Sequence, residues 1–217
     1  MLDLLHYDAY RRGNFLDHWL SPTATVVDFS RQGVGTGSAL SPYEARVEGE
    51  RGTPVLLLQG RAEQAGASLH IDKRFRLLPE APRLTVEYRL GPDGLVARSR
   101  FGVELNLAFY MGPPPDRVVE INGQRPADPS LFAVAETPGV REVRIVDAWL
   151  GLAARLALDP PGTLWRCPVQ TISQSEAGYE RVAQQVALLP HWPLGGAEDV
   201  RDLTLSLSIE TWEAAGG

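Results

Sequence analysis

Residues 83–90 read RLTVEYRL, and their apolar side chains recur at every second position: Leu84, Val86, Tyr88 and Leu90. Residues 202–210, DLTLSLSIE, repeat the same alternation. A period of two is that of a β-strand, in which successive side chains point to opposite faces of the sheet. Both stretches therefore predict strands that bury one face in a core and present the other face to solvent.

Further strands and turns are predicted on both sides of these two stretches. Apolar positions alternate again in residues 101–109 and 150–158. Gly91-Pro92-Asp93-Gly94 follows one strand, and Asn122-Gly123 closes a tight hairpin. Proline-containing stretches break other strands at residues 79–82, 113–115 and 160–162. Many short strands with frequent turns predict an all-β fold, a large antiparallel two-sheet β-sandwich.

Helix is scarce in this prediction. Residues 14–20, NFLDHWL, are predicted to form one short helical turn with Asn14 as its cap. Residues 177–189 contain helix-forming residues, but their apolar positions share one parity and strand signals flank them. We therefore predict a strand there.

Composition limits the classes of function. The 217 residues carry a formal net charge of −6, which argues against a nucleic-acid partner, since such proteins usually present a basic patch. The single cysteine, Cys167, excludes an internal disulfide. The N-terminus lacks a signal-peptide layout and no stretch approaches a membrane span, so we expect a cytoplasmic protein. The length suits one β-sandwich domain over residues 1–217.

Within residues 164–193, polar side chains crowd positions 171–185. Hydroxyls, amides and carboxylates stand there between apolar anchors, and the stretch closes with His191 and Trp192. Sugars are bound by bidentate polar groups and by stacking on aromatic rings, so this composition suits a polyhydroxylated ligand.

Three blocks of sequence resemble the C-terminal β-domain of family-57 glycoside hydrolases, the α-amylase and 4-α-glucanotransferase group. They are FLDHWL at residues 15–20, FGVELN at residues 101–106, and residues 168–192 with the core TISQSE at 171–176. Gln185-Val186 departs from the Gln-Gly expected of that family. The resemblance implies a sandwich of the galactose-mutarotase-like type that is the C-terminal part of a larger α-glucan enzyme.

The resemblance also implies which functions this chain lacks. In that family the catalytic residues belong to an N-terminal β/α barrel, and this chain shows no alternating strand–helix pattern. We therefore expect a non-catalytic accessory domain with no catalytic residue, metal or cofactor of its own. Its expected partners are the catalytic barrel and an α-glucan or maltooligosaccharide.

Six residues are candidates for carbohydrate binding or for a domain interface. Glu104 and Asn106 are predicted on the strand face opposite Phe101, where they form either a sugar-facing patch or an ordinary polar outer face. Gln174, Ser175 and Glu176 either line a cleft or domain interface, or form a loop whose side chains hydrogen-bond to its own backbone. We expect Trp192 to be partly exposed and the other four tryptophans, Trp19, Trp149, Trp165 and Trp212, to be core residues.

Two catalytic alternatives remain open at this point. An aldose mutarotase or epimerase needs an acid and a base beside the sugar, for which Glu104 or Glu176 could act with His70 or His18. Glycoside hydrolysis needs two carboxylates across a cleft, and no motif pairs the available ones: Asp17, Glu104, Glu176 and Glu180. A metal site at His70 and Asp72 is disfavoured because no third ligand is suitably spaced, and Asp17-His18 is expected to form structural hydrogen bonds.

Overall fold

The computed structural model describes residues 9–31, 36–38, 42–49, 52–64, 66–78, 80–93, 99–109, 116–175, 178–195 and 201–212. They form one short helix, α1 (Val26–Ser30), and twelve strands. The strands are β1 (Asn14–Leu20), β2 (Thr36–Ser38), β3 (Glu44–Glu48), β4 (Val55–Gln64), β5 (Ala67–Leu78), β6 (Arg83–Asp93), β7 (Ser99–Leu107), β8 (Arg117–Ile121), β9 (Ala135–Asp147), β10 (Leu152–Ser175), β11 (Gly178–Leu194) and β12 (Asp202–Thr211).

All twelve strands belong to one antiparallel sheet that folds over on itself at β10. The order along the sheet is β2-β1-β7-β11-β10-β12-β6-β5-β4-β3, and β9 pairs with β10 and β8. The first half of β10, Leu152 to Asp159, pairs with β12, whereas its second half, Thr163 to Ser175, pairs with β11. The first layer is therefore β2, β1, β7, β11 and the second half of β10. The second layer runs from the first half of β10 to β3.

The two layers pack face to face, which confirms the predicted all-β sandwich. Phe15 of the first layer meets Phe75 of the second edge-on, with ring centroids 5.6 Å apart. Phe101 and Tyr88 make a similar contact at 5.7 Å. Apolar side chains from both layers fill the space between them, among them the fully buried Val86, Val103 and Leu105.

The predicted break at residues 160–162 is wrong, because β10 continues through it. Pairing with β12 ends at Asp159 and pairing with β11 begins at Thr163, so Pro160 and Pro161 fall between the two ladders. A proline has no backbone N–H to donate to a neighbouring strand, and between the two ladders no such hydrogen bond is needed. The prolines thus mark where one strand passes from one layer to the other.

Of the other local predictions, one is wrong and two are confirmed. The helical turn predicted at residues 14–20 is wrong: that stretch is β1 and pairs with β7. The observed helix starts instead at a capping box formed by Thr25 and Asp28. The strand preferred for residues 177–189 is confirmed by β11, and Asn122-Gly123 does form a tight turn, with φ of 51° and 76°. No helix in the described ranges has the length and apolar character needed to cross a bilayer.

Candidate functional site

Glu104 is the centre of a buried hydrogen-bond network on the outer face of the first layer. It projects from β7 away from the core face of Phe101, Val103 and Leu105, as predicted. His18 on neighbouring β1 places its Nε2 2.6 Å from Glu104 Oε2, and both side chains are 0% exposed. Asn106 Nδ2 donates to Glu104 Oε1 at 2.8 Å.

The leading segment, residues 10–14, covers this network. Tyr10 donates its hydroxyl to Glu104 Oε2 at 2.6 Å, and Arg12 lies 3.3 Å from Glu104 Oε1. Asn106 Nδ2 also donates to the carbonyl of Gly13 at 2.7 Å. Glu104 and Asn106 therefore fasten the leading segment to the sheet, and sugar or interface contacts for them stay a prediction.

The environment of Glu104 keeps its carboxylate charged. Burial raises the pKa of this group, but hydrogen bonds from His18, Tyr10 and Asn106, together with attraction to His18, outweigh burial and leave the pKa lowered. A charged acceptor held by several donors suits a structural anchor. The direct His18–Glu104 contact also leaves no space for a sugar ring between these two side chains.

Asp17 cannot act with Glu104 as a pair of catalytic carboxylates. Asp17 pairs in register with Val103 and shares its core-facing side, so it points away from Glu104. Its Oδ2 lies 2.6 Å from Nζ of Lys73 in the second layer and also accepts a hydrogen bond from Tyr43. Burial raises the pKa of Asp17 and lowers that of Lys73, while their mutual attraction opposes both shifts. The structural role predicted for Asp17 and His18 is confirmed.

The tryptophan predictions are partly wrong. Trp192, expected to be partly exposed, is 1% exposed. It pairs in register with Phe101, which fixes it on the core face, and its Nε1 donates to the carbonyl of Pro160 at 2.9 Å. Trp149, expected in the core, is 74% exposed in the turn between β9 and β10. Trp19 and Trp165 are buried as predicted.

The remaining candidates lie at the hairpin of β10 and β11. The backbone of Gln174 and Ser175 belongs to β10, but their side chains, and Glu176 altogether, lie outside the described residues. β11 pairs with β7 only from Val186 onward. The hairpin ends of β10 and β11, before that point, pair with each other as a two-stranded ribbon. The predicted role of these three residues stays a prediction.

Metal coordination finds no support in the described residues. Nowhere in these ranges do three His, Cys, Asp or Glu side chains come together as a metal site. His70 is exposed, and Asp72 accepts a hydrogen bond from Gln59 Nε2 at 2.9 Å.

Sequence reasoning missed one surface, which we name the apolar end. The strands β5 and β12 end there and β6 and β10 begin there, as shown by the cross-strand pairs Leu77–Leu84 and Leu84–Leu207. Six large apolar side chains are exposed at this end: Leu77 62%, Leu78 41%, Trp149 74%, Leu150 55%, Leu152 38% and Ile209 45%. They make up half of the twelve exposed large apolar residues described, so the exposure is concentrated rather than scattered.

Comparison with known proteins identifies the family. The family model described as "Alpha-amylase/4-alpha-glucanotransferase, C-terminal" matches residues 1–207. The chain belongs to this family. The 4-α-glucanotransferase of Thermococcus kodakarensis is 28% identical over 194 residues, covering 88% of this chain and 25% of the relative. The α-amylase of Pyrococcus abyssi is 26% identical over 197 residues, covering 90% and 26%.

A solved structure extends the same relationship to the fold. The chain superposes on the 4-α-glucanotransferase of Thermococcus litoralis with a TM-score of 0.67 and 22% identity, covering 96% of this chain and 29% of that chain. The chain thus spans about a quarter of the length of the curated relatives it matches. It is an accessory domain of such enzymes, and the resemblance seen in its sequence is confirmed.

Proposed function

We propose that this chain is a non-catalytic β-sandwich of a cytoplasmic family-57 α-glucan enzyme. In this proposal it packs on the catalytic barrel and contacts the glucan. Residues 1–217 act as one domain, and the α-glucan chemistry belongs to the catalytic part. The family match and the quarter-length coverage support the assignment to such an enzyme.

The apolar end carries the docking part of the proposal. Folded monomers rarely expose contiguous apolar patches beyond a few hundred Å², and larger patches mark interaction sites. Fully burying an exposed Leu or Ile side chain contributes about 1.5–3 kcal/mol, and these partly buried side chains would each contribute a fraction of that. The occupant we propose is the catalytic part of the enzyme, because three quarters of the relatives' length lies outside the match.

Charged side chains lie close to the apolar end and would form the polar rim of the proposed interface. Arg144 lies 3.3 Å from Glu120 and 3.8 Å from Glu210, on the strands next to Leu152 and Ile209. An apolar centre with a polar rim is the usual anatomy of a protein interface. The surface therefore suits a stable contact that still leaves the rim hydrated.

The buried carboxylates support the non-catalytic part of the proposal. Glu104 is closed off by His18 and the leading segment, and Asp17 is closed off by Lys73. A mutarotase needs an acid and a base that flank the sugar, whereas His18 and Glu104 contact each other directly. A hydrolase needs two carboxylates across one bound sugar. Glu104 and Asp17 point to opposite sides of the first layer, so a single sugar cannot contact both.

A chimera tests the docking surface. The matching C-terminal quarter of the Thermococcus kodakarensis enzyme is replaced by this chain, and glucan transfer and thermal stability are measured. Trp149→Ser with Ile209→Ser is expected to lower the Tm of the chimera but to leave that of the isolated chain nearly unchanged. The matched control is Val47→Ser, an apolar residue 70% exposed on β3. If the docking variant and the control behave alike in an active chimera, the surface is wrong.

A further inference from the structure

The outer face of the second layer carries a groove, distinct from the apolar end and from the Glu104 network. It has a volume of about 360 Å³, within the range of roughly 300–1,000 Å³ usual for ligand sites. It crosses five neighbouring strands from Arg46 on β3 to Thr204 on β12. At about 4.8 Å per strand spacing that distance is roughly 19 Å, longer than one sugar ring.

Strand register arranges the groove's side chains in two rows. Gln59, Asp72, Arg89 and Asp202 are cross-strand neighbours in the first row. Leu57, Arg74, Glu87 and Thr204 are neighbours in the second row. Members of a row lie about 5 Å apart, and two residues along a strand separate the rows by roughly 7 Å.

The charges in these rows form a chequerboard. Along β5 the carboxylate of Asp72 is followed by the guanidinium of Arg74, whereas along β6 Glu87 is followed by Arg89. Asp72 and Glu87 therefore each stand beside one guanidinium along their strand and another across the strand pair. With Arg46 and Asp202 included, three cations face three anions. Lys73 is excluded from this count because its Nζ is turned to the core and bound to Asp17.

The side chains of the first row keep hydrogen-bonding capacity for a ligand. Gln59 Nε2 donates to one oxygen of Asp72 at 2.9 Å, and Arg89 Nε donates to one oxygen of Asp202 at 3.3 Å. A carboxylate accepts through two oxygens and a guanidinium donates through five N–H groups. The Arg89 and Asp202 side chains are 78% and 75% exposed, so their remaining capacity faces solvent.

A balanced chequerboard selects a neutral polyhydroxylated ligand. A phosphate would favour a surplus of cations, and a metal ion would favour a surplus of carboxylates. Each sugar hydroxyl both donates and accepts, so vicinal hydroxyls can bridge an adjacent carboxylate and guanidinium. Leu57 at the floor supplies an apolar contact for the C–H face of a ring. We propose that this groove is a non-catalytic α-glucan site; the choice of an α-glucan rests on the function proposed above.

The groove can be occupied while the domain is docked. Arg74 in the groove and Leu77 at the apolar end lie on the same strand, three residues apart, which is about 10 Å in an extended chain. The groove also opens on the outer face of the second layer, whereas Leu77 shares the core-facing side of its cross-strand neighbour Leu84. The two surfaces are therefore separable by mutation.

The test is titration of the isolated chain with maltoheptaose, followed by amide chemical shifts. We expect shifts clustered at residues 57–59, 72–74, 87–89 and 202–204. Asp72→Ala with Arg89→Ala is expected to lower the association constant at least about tenfold, because two charge-assisted hydrogen-bonding groups are lost. The matched control is Arg61→Ala with Glu63→Ala, an exposed pair 3.4 Å apart on β4 just outside the groove. Glu87→Gln serves as a milder second variant should the double variant unfold.

Three outcomes would contradict the proposal that the groove binds an α-glucan. They are a wild-type chain that does not respond to maltoheptaose, shifts that cluster away from these residues, and equal losses in the groove and control variants. None of them affects the docking proposal, which is judged by the stability of the chimera. If the chimera test fails but the amide shifts cluster in the groove, the groove proposal is supported and the docking proposal is contradicted.

Discussion

His18 Nε2 and Glu104 Oε2 lie 2.6 Å apart, and both side chains are fully buried. They join β1 to β7 on a face that an antiparallel sheet usually leaves to solvent. The leading segment covers them through Tyr10 and Arg12. These contacts of Glu104 fasten the start of the described chain to the sheet.

Removing the Glu104 carboxylate should destabilise the fold strongly. Glu104→Ala leaves several buried donors without their acceptor, and breaking such a buried pair costs about 3–5 kcal/mol. Urea unfolding measures the change. The control, Glu63→Ala, alters a side chain 75% exposed and should change the free energy of unfolding by no more than about 0.5 kcal/mol. Similar values for the two variants would contradict the anchoring role of Glu104.

The buried Asp17–Lys73 pair should show strong energetic coupling. Lys73→Met alone leaves the Asp17 charge buried without its partner and should cost about 3–5 kcal/mol. The double variant Asp17→Leu with Lys73→Met removes both charges and should recover most of that loss. A double-mutant cycle by urea unfolding gives the coupling energy. Additive losses would show that the pair does not join the two layers.

His191 should make the domain sensitive to acid. Burial, aided by Arg100, lowers the pKa of His191 to about 3. Below pH 6.5 His191 is protonated in the unfolded chain but stays neutral in the folded chain. The free energy of unfolding therefore falls as the pH drops from about 6.5 towards 3. Between pH 6.5 and 5 this loss amounts to about 2 kcal/mol.

His191→Phe should remove that pH dependence. The ring of His191 packs on Trp165 with centroids 4.7 Å apart, and phenylalanine can keep this contact without titrating. Urea unfolding at pH 6.5 and pH 5 measures the difference. His70→Ala, at an exposed position, serves as the control and should keep the wild-type pH dependence. An unchanged pH dependence in the His191 variant would assign the acid sensitivity to other groups.

Alternation of side chains made the strands and the sandwich predictable, because a period of two is a local property of the chain. It also placed Glu104 and Asn106 on the face opposite Phe101. Alternation does not say what covers each face: Tyr10 and His18 reach Glu104 from 94 and 86 residues away in sequence. The burial of the Glu104 network was therefore beyond a local pattern.

The tryptophan errors and the apolar end share one physical cause. Leu150 and Leu152 continue the apolar run of Leu156 and Leu158, yet the first two are 55% and 38% exposed and the last two are buried. The run is uniform, but the packing that covers it stops at the end of the layer. An exposed apolar residue and a core residue therefore look the same in sequence, as Trp149 and Trp165 also show.

Hydrogen exchange measured by mass spectrometry can locate the proposed docking surface. Amide exchange is compared between the isolated chain and the same chain in the active chimera. We predict slower exchange in the chimera at residues 77–78, 148–152 and 209–212. Unchanged exchange at those residues, with protection appearing at residues 10–20 or on β3 instead, would contradict it.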